Sequence, residues 1–444
     1  MLCSQHTIVA IFCIFATNFN RVKTMKKTLL TLLCCCSIVC GWSGYSTQIL
    51  STDINTLLVH PAGAPLLPPI IKLGSEDVVR ITFDEMSYGN RNYNYKLVHC
   101  NADWEPSVLM EQEYMRGFGT GSIDDAEQSR NTTVLYTNYQ FFIPNESLTL
   151  TASGNYAVLI AENDDFEHPV AVACFCVVEP QITIEGTITG NTLQGINSHW
   201  QQLSFDVIHK DYTIRDPLSE LTVQVYQNRR TDNAVTNLKP TYSTPGRQSY
   251  TNNRALTFEG GNEYRTIDFS SEYTYGSGIE HIVAHDNVLH AELIPSEPRA
   301  TQATPPTGGD ADGRMRINRQ NAEDSDTEAD YVWVHFTLPI KPLRNGDVYL
   351  IGDLVGNRFD YNSRMDYNSQ TNSYQKALLL KQGGYSFLYA IRANSNAATT
   401  LPIEGSYWET ENEYLILVYQ REWGGRYDRL IGYRTLYSNN KEYH

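Results

Sequence analysis

The stretch YNYKLVHCNADWEPS, from Tyr93 to Ser107, places His99, Cys100 and Asp103 close together and sets Trp104 directly after them. A histidine beside a cysteine suggests an activated thiolate, and a histidine near an aspartate suggests a metal ligand pair. Along a strand, however, neighbouring side chains point to opposite faces, so His99 cannot reach the Cys100 thiol to activate it. A metal needs three or four convergent ligands, and the sequence offers neither a second histidine at metal-site spacing nor a Cys-x-x-Cys here. The residues fit a strand end better. Asn101 and Asp103 are turn formers that bond neighbouring backbone, and Trp104 can cover the end of a core.

Other candidate chemistry is weaker still. EGSYWETENEY gathers Glu404, Glu409, Glu411 and Glu413 beside Trp408. A glycoside hydrolase needs two carboxylates at a set separation, which no local motif marks, so the run reads as a solvated loop and strand edge. DADG at 310–313 resembles a calcium loop only in part, because its glycine comes two places early and position 12 is Asn321 rather than glutamate. No G-x-G-x-x-G and no P-loop occurs. The reading is of a non-enzyme with no cofactor, no metal and no small-molecule substrate.

The elements around these residues are short. VVRITF puts Val79, Ile81 and Phe83 on one face, and YNYKLVHC puts Tyr95, Leu97 and His99 together. NYAVLIAE and AVACFCVV continue the series, with Pro180 marking a junction. A second set runs through ITIEGTI, QLSFDVIH, LTVQVYQN, EYRTIDF and NVLHAELIP. A third comprises DVYLIGDL, SYQKALLL, YSFLYAIR and EYLILVYQ, while YVWVHFTL fits either the second set or the third. No long helical period appears, so the expected class is all-β: three consecutive antiparallel β-sandwich domains, immunoglobulin-like or early-set, after a signal peptide. The expected bounds are 47–180, 181–339 and 340–444. Residues 296–330, poor in apolar side chains and rich in proline, glycine and acids, read as a flexible acidic loop of the middle domain.

The chain has 444 residues and a formal charge of −16, from 34 Lys+Arg against 50 Asp+Glu, which argues against nucleic acid as a partner. Its 29 tyrosines suit strands and broad contact surfaces. Residues 1–46 read as a start codon assigned too early followed by a signal peptide. The true start is then Met25, with Lys26-Lys27 as the basic end and Leu29 to Cys40 as the apolar core. The apolar run before Met25 is too short to span a bilayer, and no membrane span remains after cleavage. Cys40 is a candidate lipidation site, although Ser37-Ile38-Val39 lacks the usual small neighbour. Beyond it only Cys100, Cys174 and Cys176 remain. Cys174 and Cys176 share one strand face and read as small buried hydrophobes; the alternative is a bridge from Cys100 to one of them.

Several blocks together, YKLVHCNADWEPS, EYMRGFGTG, NTTVLYTNYQFFIPNE, SGNY, VVEP, GNEYR and IEGSYWETENEYLILVYQREWGGRYDRLIGYR, resemble the plug protein family of the Bacteroidetes type IX secretion system, from about Leu57 to Tyr433. The resemblance implies a periplasmic protein at the inner face of the outer membrane. Its partner would be the large outer-membrane translocon β-barrel, which it seals when no cargo passes. His99, Asn101, Asp103, Trp104, Tyr114, Tyr407, Trp408, Trp423 and Tyr427 are then candidate partner contacts or members of a structural corner. DVYLIGDLVGNRF and GGYSFLYAI are also similar to early-set sandwiches related to carbohydrate-binding modules, which makes a glycan-binding protein the alternative and a secreted hydrolase a third reading. The tryptophan expected after the GD element is absent, with Asn357, Arg358 and Phe359 in its place.

Overall fold

The computed structural model describes residues 44–271, 273, 275–302, 310–393 and 397–438. The start at Met25 and the lipidation of Cys40 lie outside the described residues, as does the signal peptide apart from residues 44–46. Strands make up about 47% of the structure and helix about 6%, so the chain is all-β. No helix among the described residues is long and apolar enough to cross a membrane.

The first core lies between two sheets. One runs in the order Gln48–Ile49, Ala171–Val178, Gly154–Glu162, Tyr93–Cys100, Thr120–Ser122; the other runs Ile54–Pro61, Val79–Glu85, Thr137–Ile143, Asp125–Gln128. Alternation sends Val79, Ile81 and Phe83 inward, where Phe83 stacks on Tyr139 at 5.2 Å and meets Tyr93 edge-on at 5.3 Å.

The second sandwich departs from the expected order along the chain. Its first sheet holds Thr183–Thr189, Trp200–Ile208, Arg247–Tyr250 and Tyr242–Thr244, while the facing sheet pairs Leu221–Gln227 with Glu413–Gln420 and Arg429–Tyr437. The last two strands of the protein thus close the middle sandwich. The third sandwich is inserted between Glu259, the end of a short strand that pairs with Trp200–Ile208, and Glu413. Its sheets are Ile279–His285, Val288–Leu293, Tyr331–Leu338, Ser373–Lys381, Asp366–Asn368, and Gly383–Arg392 flanked by Arg265–Asp268, Met315–Ile317 and Asp347–Ile351. The pairing therefore crosses the expected division at 339/340, and YVWVHFTL sits in the inserted sandwich.

The described residues of 296–330, namely 296–302 and 310–330, depart from the flexible loop expected of them. Val288–Leu293 and Tyr331–Leu338 are parallel neighbours, which a tight turn cannot connect, so a long crossover is obligatory. Within it, Met315–Ile317 pairs with Gly383–Arg392 and Ser325–Glu328 forms a short helix capped by Asp324. Arg314, Asp312 and Asp330 are buried, and the Asp330 carboxylate accepts the backbone N–H groups of Thr133 and Val134 at 2.6 and 3.0 Å.

Buried polar joints fasten the sandwiches together. Lys381 Nζ donates to Asp84 Oδ2 at 2.6 Å, and Asp84 also accepts from Tyr331 Oη at 2.6 Å and Asn138 Nδ2 at 2.7 Å. Glu413 accepts from Arg229 Nε at 3.1 Å and from Arg314 Nη2, linking the middle and inserted sandwiches. Tyr419 Oη donates to Asn155 Oδ1 at 2.8 Å, linking the middle to the first.

Candidate docking face

The strand Tyr93–Cys100 buries Tyr93, Tyr95, Leu97 and His99 on its core face. His99 Nε2 lies 3.1 Å from the Ser153 carbonyl oxygen, which only accepts; that nitrogen therefore carries the proton, and Nδ1 accepts from Ser107 Oγ at 2.9 Å. Burial pushes the His99 pKa down to about 4, against smaller opposing effects of the Ser153 carbonyl and Asp428. The ring is neutral at physiological pH and too weak a base to activate the serine hydroxyl bound to it. Tyr156, Tyr427 and Tyr114 surround it at centroid distances of 5.0, 5.3 and 5.5 Å.

Cys100 faces the other way and is fully buried, and burial pushes its thiol up to about 12. All three described cysteines are free, so the bridge from Cys100 is not formed. The sheet register gives the reason: Asn155 stands opposite both Cys100 and Cys176, and Cys174 pairs with Ala157 on the same intervening strand. Two strand spacings amount to roughly 9–10 Å, beyond the Cα separation of about 7 Å that a disulfide spans.

After Cys100 the chain makes a tight turn with Trp104 at φ +66°. Asn101 accepts from Trp104 N at 2.9 Å, and Asp103 Oδ1 from Glu105 N at 3.1 Å. Trp104 is half-buried against Cys100, Ala102, Cys174 and Tyr419. Ala102 N–H donates to Asp428 Oδ2 at 3.0 Å and Ala102 O accepts from Gln224 Nε2 at 2.9 Å, while Arg421 grips Asp428 in a fork at 2.8 and 2.9 Å. The corner is thereby a joint between the first and middle sandwiches. Residues 44–46 also seat here, with Tyr45 N–H bonded to Trp104 O at 3.1 Å.

The nine candidate residues divide. His99, Asn101, Asp103, Trp104, Tyr114 and Tyr427 meet at this joint. Tyr407 and Trp408 lie elsewhere: Tyr407 Oη donates to Gln302 O at 2.7 Å, and Trp408 packs against Gly190, where an added Cβ would stand 2.6 Å from its ring. Trp423 is 87% exposed, at the tip of the hairpin joining Glu413–Gln420 to Arg429–Tyr437.

That hairpin tip is tied to the loop following the corner. Arg426 bonds Glu113 at 2.6 Å and the Val108 carbonyl at 2.7 Å. Val108 (67%) and Met110 (64%) are exposed on this loop, and Phe118 (75%) just past the short helix Glu111–Tyr114 and strand Met115–Gly117 that follow it. Exposed apolar side chains interspersed with the charges of Glu111, Glu113 and Arg116 along one segment have the make-up of a protein contact. Sequence reading missed Val108, Met110 and Phe118, for which the available signal was apolar residues recurring in an otherwise polar loop. In the inserted sandwich, Phe359 has the Arg392 guanidinium 4.7 Å over its ring and Tyr349 at 5.3 Å, so it offers no open platform to a sugar.

Residues 54–179 match the family model described as type 9 secretion system plug protein 1st domain. The fold is similar to the crystal structure, at 2.30 Å resolution, of a hypothetical protein from Parabacteroides merdae ATCC 43184. The two are 42% identical with a TM-score of 0.87, covering 89% of this chain and 99% of that one. No curated protein matches the chain.

Proposed function

We propose, for a chain that belongs to the type 9 secretion system plug protein family, that it is a non-catalytic periplasmic component that docks on the periplasmic side of the large outer-membrane translocon barrel and seals it in the absence of cargo. Family membership carries the role in type 9 secretion. The docking reading rests on one observation: Trp423, Phe118, Val108 and Met110 are exposed on a hairpin and loop that are themselves braced by Arg426, Asp428 and Gln224. A barrel wide enough for folded cargo leaves an aqueous hole, and closing it requires a rigid body with a reversible contact rather than a catalyst. Aromatic anchors ringed by polar groups supply such a contact, and the braced joint spares the ordering entropy that a floppy loop would lose.

The test is affinity purification of a tagged chain from outer membranes of the native host solubilised in mild detergent, with co-purifying proteins identified by mass. One very large outer-membrane barrel protein is expected, with recovery reduced in a Trp423→Ala, Phe118→Ala double variant whose melting temperature is unchanged. Recovery of the protein alone would overturn the reading.

A further inference from the structure

The inserted sandwich carries histidines that docking does not use. Alternation sends Ala291, Leu293, Val332, Val334 and Phe336 into its core and leaves His281, His285, His290, Glu292 and His335 on the outer face of three adjacent strands. Antiparallel pairing sets His281 opposite Glu292, and parallel pairing sets Glu292 opposite His335. His290 Nδ1 and His335 Nε2 stand 2.9 Å apart, Glu292 Oε1 lies 4.0 Å from His335 Nε2, and the His285 ring meets His290 edge-on at 5.2 Å.

Two imidazole nitrogens that close share one proton, or else share a cation. Bonds of about 2.0–2.1 Å in tetrahedral geometry would place the two nitrogens about 3.3 Å apart on zinc, within half an ångström or so of their present separation. No three ligands among the described residues already stand in metal-holding geometry, so the third must be drawn in. Glu292 is 41% exposed and can turn its carboxylate toward the pair; His285 or water completes the shell. We infer that this face binds a divalent transition ion of the zinc class, on His290 Nδ1 and His335 Nε2 with Glu292 as third ligand.

The surroundings leave the pair free to take a cation. The adjoining strand adds no charge beside the pair, presenting Ala377 opposite His335 and Leu379 opposite Trp333.

Zinc chloride titrated calorimetrically into the full chain, stripped with EDTA, tests this at pH 7.5. One equivalent is expected, with affinity at least tenfold weaker in His290→Ala and in His335→Ala, weaker in Glu292→Gln, and unchanged in His168→Ala, whose ring is exposed on the first sandwich. Binding should weaken at pH 5.5, and cobalt should give a tetrahedral visible spectrum. Circular dichroism of each variant should match that of the parent. Absence of saturable binding, or the same isotherm in the His290→Ala, His335→Ala double variant, would overturn the site and leave the pair as a hydrogen bond alone.

Discussion

Replacing Glu413 by glutamine tests whether the insertion is held by charge. Glu413 is 1% exposed, and it takes Arg229 on one oxygen and Arg314 and Tyr437 on the other. Burial pushes its carboxyl up, but Arg229 and Arg314 outweigh burial and hold it below the usual carboxylate range. The ion pair's contribution is therefore present at neutral pH and fades as the pH falls through that lowered value. Glutamine keeps the shape and removes the charge that faces Arg314, 3% exposed, whose neighbouring carboxyl of Asp312 lies 3.9 Å away. Stranding one member of a buried pair costs about 3–5 kcal/mol. With an unfolding entropy of roughly 2.1 cal/mol/K per residue, a cooperative unit of this chain's 444 residues would lose about 3–5 °C in Tm. Scanning calorimetry measures the shift, and adding Arg314→Met should recover part of it by removing the stranded charge. A Glu413→Gln protein melting within 1 °C of the parent would refute the reasoning. A double variant no better than the single would show that lost packing, not charge, sets the cost.

Other predictions follow from the same structure. Burial first, then Asp310, pushes the Asp312 carboxyl up to about 8 despite Arg314. The folded state thus binds a proton that the unfolded chain releases near pH 4, so stability falls as the pH rises from about 4 to 8. Asp312→Asn, which tolerates the φ of +49° there, should flatten the dependence of the denaturation midpoint on pH between 5 and 8.5. Trp423→Ala should leave Tm within 1 °C yet weaken barrel binding about 30-fold, as loss of a hot spot worth about 2 kcal/mol would, read by interferometry on the purified pair. His99→Ala should cost about 3 kcal/mol by opening a cavity among Tyr114, Tyr156 and Tyr427, whereas Asp103→Asn, on an exposed turn, should stay within about 0.5 kcal/mol in urea denaturation.

What the sequence determined by itself is local. Apolar side chains recurring every second residue, as in Val79, Ile81, Phe83 and in Tyr95, Leu97, His99, dictate strands because only a pleated backbone puts them on one face. The opposite faces of His99 and Cys100, and the turn at Asn101 to Trp104, follow from the same geometry. Pairing partners are not local. Leu221–Gln227 finds Glu413–Gln420 across the whole inserted sandwich, and nothing in either segment names the other, since backbone hydrogen bonds are alike on every strand edge. The same ladder register decides that Asn155 separates Cys100 from Cys176 and that His290 and His335 meet. The segment 296–330 looks unable to order itself because its own apolar content is low, yet in residues 310–330 a strand pairing and the partners supplied by other segments hold the chain. Tertiary structure likewise decided which apolar side chains stand exposed, and the Arg426 bonds tie the hairpin that carries Trp423 to the segment of Val108 and Glu113.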